Sequence, residues 1–198
     1  MSEQRGVLVL ATRNPHKLRE FAGILQGWQV EALPDEVTLP PETAEDFAGN
    51  ALAKARAAHR ATGAVAIADD SGIAARALGG EPGVRSARFA GEDASDEQNL
   101  RHLIERLAGV KDRHVEYVCV IALVDEDGAE RLFEGRCGGT AIDAPRGEGG
   151  FGYDPIVVPD EYDDGRTMAE LSQAEKDAIS HRGRAARDLA AWLARERV

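Results

Sequence analysis

The 198-residue sequence predicts an α/β domain carrying a mixed β-sheet. Short apolar runs and amphipathic helical stripes alternate from Gly6 to Ala68. Further on, Val115 to Asp125 and Ala129 to Ile142 read as two strands joined at Asp127-Gly128, which resembles an antiparallel hairpin. The length suffices for a proper core in a single domain over residues 1–198. No tract is of low complexity and no segment repeats.

Gly6 to Ala11 forms the first buried strand. Asn14 caps a helix that begins at Pro15 and carries Leu18, Phe21, Ala22 and Leu25 on one face, with Gly27 ending it. Trp28 to Leu33 is a short second strand. Pro34 to Glu42 holds Pro34, Pro40 and Pro41 and is a loop. Thr43, with Asp46 three residues on, starts an Ala-rich helix to about Arg60, burying Phe47, Ala51, Ala55 and Ala58. A strand over Val65 to Ala68 follows, then a turn cluster at Gly79 to Gly83. Ser95 and Gln98 box the start of a helix with a Leu100, Leu103, Ile104, Leu107 stripe ending near Gly109. After the hairpin, Gly147 to Pro155 is a Gly-rich loop. Ser172 and Glu175 box another helix, and Ala185, Leu189, Trp192 and Leu193 face inward from the last one.

The formal net charge is −11. Such a surface does not grip the phosphates of a nucleic acid polymer, although a few local cations suffice for a small anion. No apolar stretch is long enough to span a membrane. Met1-Ser2-Glu3-Gln4-Arg5 lacks the basic and apolar regions of a signal peptide. Cys119 and Cys137 have no metal-ligand spacing and sit in apolar or Gly-rich surroundings, as reduced structural thiols of a cytoplasmic protein do.

The run Val65-Ala66-Ile67-Ala68 breaks into Asp69-Asp70-Ser71-Gly72. Two adjacent carboxylates at the tip of a buried strand repel each other and are costly to desolvate. A hard cation such as Mg²⁺ offsets both costs, and Glu42 offers a third oxygen donor. Taken alone, the tetrapeptide also serves as a polar turn closing the strand, with Gly72 supplying the bend.

Two helix starts carry cations where the macrodipole favours anions: Lys17 after Thr12-Arg13-Asn14-Pro15-His16, and His181-Arg182 after Ser180. A bound phosphate suits both the free amides and the cations of such a helix start; solvated side chains on ordinary helices are the plainer reading. The loop Gly149-Gly150-Phe151-Gly152-Tyr153-Asp154-Pro155 combines close backbone approach, two flat rings and an acceptor for a base edge. It also reads as a core loop with two buried aromatics. Patterns for zinc, a nucleophile elbow or a Walker loop are absent from the sequence. Together these groups describe a Mg²⁺-nucleotide site.

In order along the chain stand Ala11-Thr12-Arg13-Asn14…Lys17, Glu42…Phe47…Asn50-Ala51…Lys54-Ala55, Ala68-Asp69-Asp70-Ser71-Gly72, Gly80…Pro82-Gly83…Ser86-Ala87-Arg88, the Gly149–Pro155 loop and Lys176…Ser180-His181-Arg182. With this ordered set, spanning about Val7 to Leu189, the chain resembles the inosine triphosphate pyrophosphatase (Ham1-like) family. The resemblance implies an elongated, twisted mixed sheet flanked by helices, with two lobes and a central active-site cleft, usually as a homodimer. It implies hydrolysis of ITP, dITP and XTP to the monophosphate and pyrophosphate, which cleanses the nucleotide pool, with Mg²⁺ as cofactor.

The same resemblance implies roles for single residues. Thr12, Arg13, Asn14, Pro15, His16 and Lys17 cradle phosphate, and Lys54 adds a cation. Glu42 and Asp69 hold Mg²⁺; Asp70 deprotonates the attacking water and touches the metal. Ser71 contacts substrate. Phe151, Gly152, Tyr153 and Asp154 hold the base, with Phe151 or Tyr153 stacking on it. Lys176, His181 and Arg182 complete the base and phosphate contacts, with Arg88 a further candidate. Arg13 stands where many members have Gly, and its side chain either crowds the phosphate loop or adds a cation to it. Two rivals are a Maf-like pyrophosphatase of other base preference, opposed by the Gly-Phe-Gly-Tyr-Asp and Ser-His-Arg motifs, and a non-catalytic nucleotide sensor, opposed by the intact acidic residues.

Overall fold

The computed structural model describes residues 6–196, so the N-terminal pentapeptide read above for a leader lies outside the described residues. These residues form a six-stranded sheet in the order β2-β1-β3-β4-β5-β6. The strands are β1 (Val7–Leu10), β2 (Gln29–Ala32), β3 (Ala66–Ala75), β4 (His114–Val124), β5 (Glu130–Ala141) and β6 (Val157–Pro159). The helices are α1 (Pro15–Ile24), α2 (Phe47–Thr62), α3 (Asp96–Arg106), α4 (Gln173–Ile179) and α5 (His181–Glu196). β1 runs parallel to β2 and β3, while β5 and β6 are antiparallel, so the sheet is mixed as the sequence predicts. β6 has three residues, too few for a periodic signal to mark it.

One expectation is overturned at the centre of the sheet. β3 does not stop at Asp69; it continues through Asp69, Asp70, Ser71 and Gly72 to Ala75. Both carboxylates lie inside a ten-residue strand and are nearly inaccessible to solvent. Burial of that kind persists only where cationic or hydrogen-bonding partners replace water, and both carboxylates have such partners, as described below. A smaller difference concerns α2. Its cap is Asp46, which accepts from the Gly49 amide at 2.7 Å, and Thr43 remains outside the helix. The helix runs to Thr62 and ends in the left-handed Gly63.

The described residues divide into two compact units. One takes in those up to Asp70, Cys119–Gly135 and those from Arg182 onward; the other comprises Ser71–Val118 and Arg136–His181. In the first unit, alternation along the strands sorts two cores onto the two faces of the sheet. Leu8, Leu10, Ile67, Ile121 and Leu123 pack with Phe21 and Leu25 at α1 and with Ala185, Leu189 and Leu193 of α5. Val9, Ala66, Ala68 and Val124 pack against Ala51, Ala55 and Ala58 of α2. Small residues on that face allow α2 to approach closely. The core of the second unit gathers Ile73, Leu100, Leu103, Tyr117, Tyr153, Ile156, Met168 and Ile179. The capping boxes expected at Ser95/Gln98 and Ser172/Glu175 both form. Among the described residues no helix is long and apolar enough to cross a membrane.

Candidate active site

Asp69 and Asp70 are consecutive on a strand, so their side chains leave opposite faces. Asp69 follows the direction of Ile67, toward α1 and α5. There its Oδ2 lies 2.9 Å from Lys17 Nζ and accepts from Arg182 Nη2 at 3.2 Å and Nε at 3.3 Å. Arg182 is buried, and its Nη1 donates to Glu20 Oε2 at 2.6 Å. The two cationic helix starts singled out in the sequence therefore converge on one carboxylate. The sequence reading assigns a bound phosphate to these cations; in this structure the negative charge beside both is the carboxylate of Asp69. Burial alone would push the Asp69 carboxyl up; Lys17, Arg182 and Lys54 outweigh it and hold the group well below the usual carboxylate range.

Asp70 follows Ala66 and Ala68 toward α2. Its Oδ2 accepts from Asn50 Nδ2 at 2.8 Å, and its Oδ1 lies 4.0 Å from Lys54 Nζ. Lys54 also donates to Glu42. The Lys54 ammonium thus spans Glu42 and Asp70, which places two hard oxygen donors around one cation. Burial raises the Asp70 carboxyl above the usual range, against the pull of Lys54 and Asn50. Burial opposes the Lys54 charge, but Asp69, Asp70 and Glu42 more than compensate, and the ammonium is held above its ordinary value. Among the described residues, no three acidic, histidine or cysteine side chains form a ready metal cage.

The turn before α1 is internally organised. The Asn14 side chain accepts from the amides of His16 at 2.9 Å and Lys17 at 3.4 Å, and Thr12 Oγ1 accepts from the Asn14 amide at 3.1 Å. Pro15 and His16 are exposed, with Arg19 hydrogen-bonded to the His16 ring at 2.8 Å. Arg13 departs from both alternatives weighed for it. Its guanidinium donates to the carbonyls of Leu33 at 2.7 Å, Pro34 at 2.8 Å, Asp35 at 3.3 Å and Val37 at 2.7 Å. It clamps the start of the Pro-rich loop, so its donors are directed to that backbone rather than to the turn before α1.

The second unit holds the aromatic part. Asp154 Oδ2 accepts from the Phe151 amide at 2.9 Å and from Lys176 Nζ at 2.7 Å, and its Oδ1 accepts from Tyr117 Oη at 3.1 Å. Lys176 Nζ stands 4.9 Å from the Phe151 ring centroid, a cation–π contact. Phe151 is half-buried, whereas Tyr153 is in the core and donates to the Ser86 carbonyl at 2.7 Å. Of these two rings Phe151 is the more accessible. Gly150 has φ +70°, and a Cβ there would lie 2.0 Å from Asp154 Oδ2. The glycine is required by the carboxylate beside it. The Gly152 amide donates to Asp96 at 3.1 Å. His181 is buried and stacks on Tyr117, with centroids 4.8 Å apart and planes at 10°. Ser71 is half-buried in β3, and Arg88 lies 3.8 Å from Glu92.

Two residues of this arrangement, Glu20 and Tyr117, are absent from the sequence reading, and a third, Asn50, stands in it as a motif residue without a role. Glu20 is a buried acid next to Phe21 on α1, and Asn50 is a polar residue on the buried Ala-rich stripe of α2. A polar side chain inside an apolar stripe was the available signal for both. Tyr117, on the inward face of β4 between Val115 and Cys119, gives no signal beyond its hydroxyl.

The Ham1 family model matches residues 8–192. A dITP/XTP pyrophosphatase of Symbiobacterium thermophilum is 50% identical over 189 residues, which is 93% of this chain and 92% of that protein. A dITP/XTP pyrophosphatase of Geobacter sulfurreducens is 48% identical, over 90% of this chain and 92% of its own length. The Staphylococcus aureus Ham1 protein superposes with a TM-score of 0.86 at 39% identity, covering 96% of this chain and 99% of that one. Sequence, topology and the ordered motifs agree: the chain belongs to the Ham1 family.

Proposed function

We propose that this chain hydrolyses non-standard purine nucleoside triphosphates (ITP, dITP and XTP) to the nucleoside monophosphate and pyrophosphate, so removing them from the nucleotide pool. The observation that carries this is Asp70. It is a buried carboxylate oriented by Asn50, with a proton affinity above that of a surface aspartate. That is what a general base for water needs: geometry fixed by a neighbour and a pKa moved toward the working pH.

The cations near it suit a triphosphate. Lys17 and Lys54 lie beside Asp69 and Asp70, and the Asn14-capped turn of α1 adds a helix N-terminus. Yet Lys17, Lys54 and Arg182 face Glu20, Glu42, Asp69 and Asp70, which leaves no surplus positive charge for a substrate with several negative charges of its own. A divalent cation makes up that deficit. Mg²⁺ is commonly held by one or two carboxylates plus substrate phosphates, and Glu42, half-buried and already beside a cation, is the carboxylate that fits, which leaves Asp70 to the water. When bound, Mg²⁺ would neutralise charge developing on the phosphoryl oxygens. Asp69 is given a different task from the one the resemblance implies, that of holding Lys17 and Arg182 in place.

The base falls to the second cluster, with Phe151 as the stacking face and Lys176 and His181 as donors toward a 6-oxo group. Asp154 orients Lys176 and the Phe151 backbone. Adenine offers an amino group at that position, itself a donor, and is disfavoured. A cytoplasmic homodimer belongs to the same reading and rests on the family resemblance.

Incubation with Mg²⁺ and a panel of ITP, dITP, XTP, GTP and ATP, followed by separate assays for pyrophosphate and orthophosphate, tests the proposal. Pyrophosphate from the first three, abolished by excess EDTA, supports it. Orthophosphate, turnover of other triphosphates alone, or no turnover rejects it.

A further inference from the structure

We infer that Tyr117 is a specificity-positioning residue, holding the donors that select a 6-oxo purine. This rests on the base-site reading above. Tyr117 sits on β4 between Val115 and Cys119, on a buried run where a phenylalanine would satisfy the packing. Its hydroxyl is therefore the feature that needs explaining, because a buried phenol must find a partner.

The partner is Asp154 Oδ1 at 3.1 Å. The same carboxylate holds Lys176 through its other oxygen at 2.7 Å. The face of the phenol ring is used as well, against the imidazole of His181 in a nearly parallel stack at 4.8 Å. One side chain thus contacts both the acid that aims Lys176 and the ring of His181. Burial and the neighbouring Asp154 charge raise the phenol well above its ordinary pKa, so it remains a neutral donor throughout the working pH range.

A carboxylate bound at both oxygens has one allowed orientation, and an imidazole stacked on a fixed ring cannot tilt freely. Lys176 and His181 then present hydrogen-bond donors in a set direction. A 6-oxo group accepts from such donors, whereas the 6-amino group of adenine opposes donor to donor. Tyr117 acts through these two residues and needs no contact with the substrate.

Tyr117→Phe keeps the ring and its stack and removes only the hydroxyl. Binding of IMP and AMP, measured by titration calorimetry, needs no turnover and is read beside steady-state kinetics with ITP and ATP. Loss of a hydrogen bond to a charged group corresponds to about a tenfold weaker IMP affinity and a similar rise in the KM for ITP. AMP binding and kcat for ITP should hold nearly constant, so the IMP:AMP preference falls by about the same factor. Tyr117→Leu, which also removes the stack, should lower the preference further. Unchanged IMP affinity in Tyr117→Phe, or a proportionate loss for IMP and AMP, overturns the inference, because a purely structural role weakens both alike. Failure of the wild type to release pyrophosphate from ITP overturns the activity itself. The IMP:AMP ratio of the variants still decides the role of Tyr117, and a wild type that binds the two alike rejects both.

Discussion

Asp69 and Asp70 stand next to each other in β3 and look out from opposite faces of the sheet, Asp69 onto Lys17 and Arg182, Asp70 onto Asn50 and Lys54. The pleat of one strand thus gives two adjacent carboxylates opposite electrostatics. Asp69 is held ionised by surrounding cations, while burial makes Asp70 readier to take a proton. Paired acids with separated proton affinities are what acid–base chemistry on a substrate uses.

Stability should separate the pair. Asp69→Asn leaves the buried Arg182 and Lys17 short of a counter-charge, and loss of one partner of a buried pair costs about 3–5 kcal/mol. Because the folded-state pKa of Asp69 is depressed, its contribution is present above the unfolded value and lost as pH falls through the folded one. Asp70 has the opposite sign. Its folded pKa is raised, so its ionised form opposes folding at neutral pH. Urea unfolding at pH 7 is expected to show a large loss for Asp69→Asn and none, or a gain, for Asp70→Asn.

Arg13→Gly removes the clamp on the carbonyls of residues 33–37. The Pro-rich loop should be cleaved faster in limited proteolysis, which follows local opening. If Arg13 serves the loop and not the phosphate, the KM for ITP stays within about threefold of wild type. A much larger rise, without faster cleavage, would return Arg13 to the substrate.

Gly150→Ala sets a Cβ against Asp154 at a backbone angle that side chains rarely adopt. Asp154 must move, and Lys176 with it. The KM for ITP should rise by about tenfold or more, against a smaller change for Gly152→Ala, where φ of +62° brings the same backbone strain but the added Cβ meets no side chain such as Asp154 within 4 Å.

Much of this could be read from residue order. The alternating elements, the hairpin, the caps at Asn14, Ser95 and Ser172, and the inward faces of α2 and α5 followed from period and cap chemistry. The site's residue types were legible too, because Lys17 and Arg182 violate the helix dipole rule. Their partner was not. Asp-Asp-Ser-Gly has turn composition, so the period-2 signal of β3 breaks off at Ala68, and only long-range partners such as Asn50 and Arg182 allow that composition inside a strand. Glu20 and Tyr117 were hidden for the same reason: each is explained by a residue far away in sequence.

Cys119 lies in the first unit with Sγ 3.9 Å from Asp69 Oδ2, and burial with that neighbouring charge pushes its thiol up to about 12. A thiol in that state is almost wholly protonated at pH 8, and the thiolate is the reactive form. Peptide mass mapping after iodoacetamide treatment should find Cys119 unmodified in the native protein and modified once urea unfolds it. Rapid labelling of the native form would contradict the burial.

The most direct measurement pairs ITP binding with product release in the wild type and Asp70→Asn. Wild type should release pyrophosphate and no orthophosphate. The variant should bind ITP with a Kd within about threefold of wild type while turning over about 100-fold or more slowly, the range expected when a general base is lost. Orthophosphate as the product, or turnover and affinity falling together in the variant, would contradict the account.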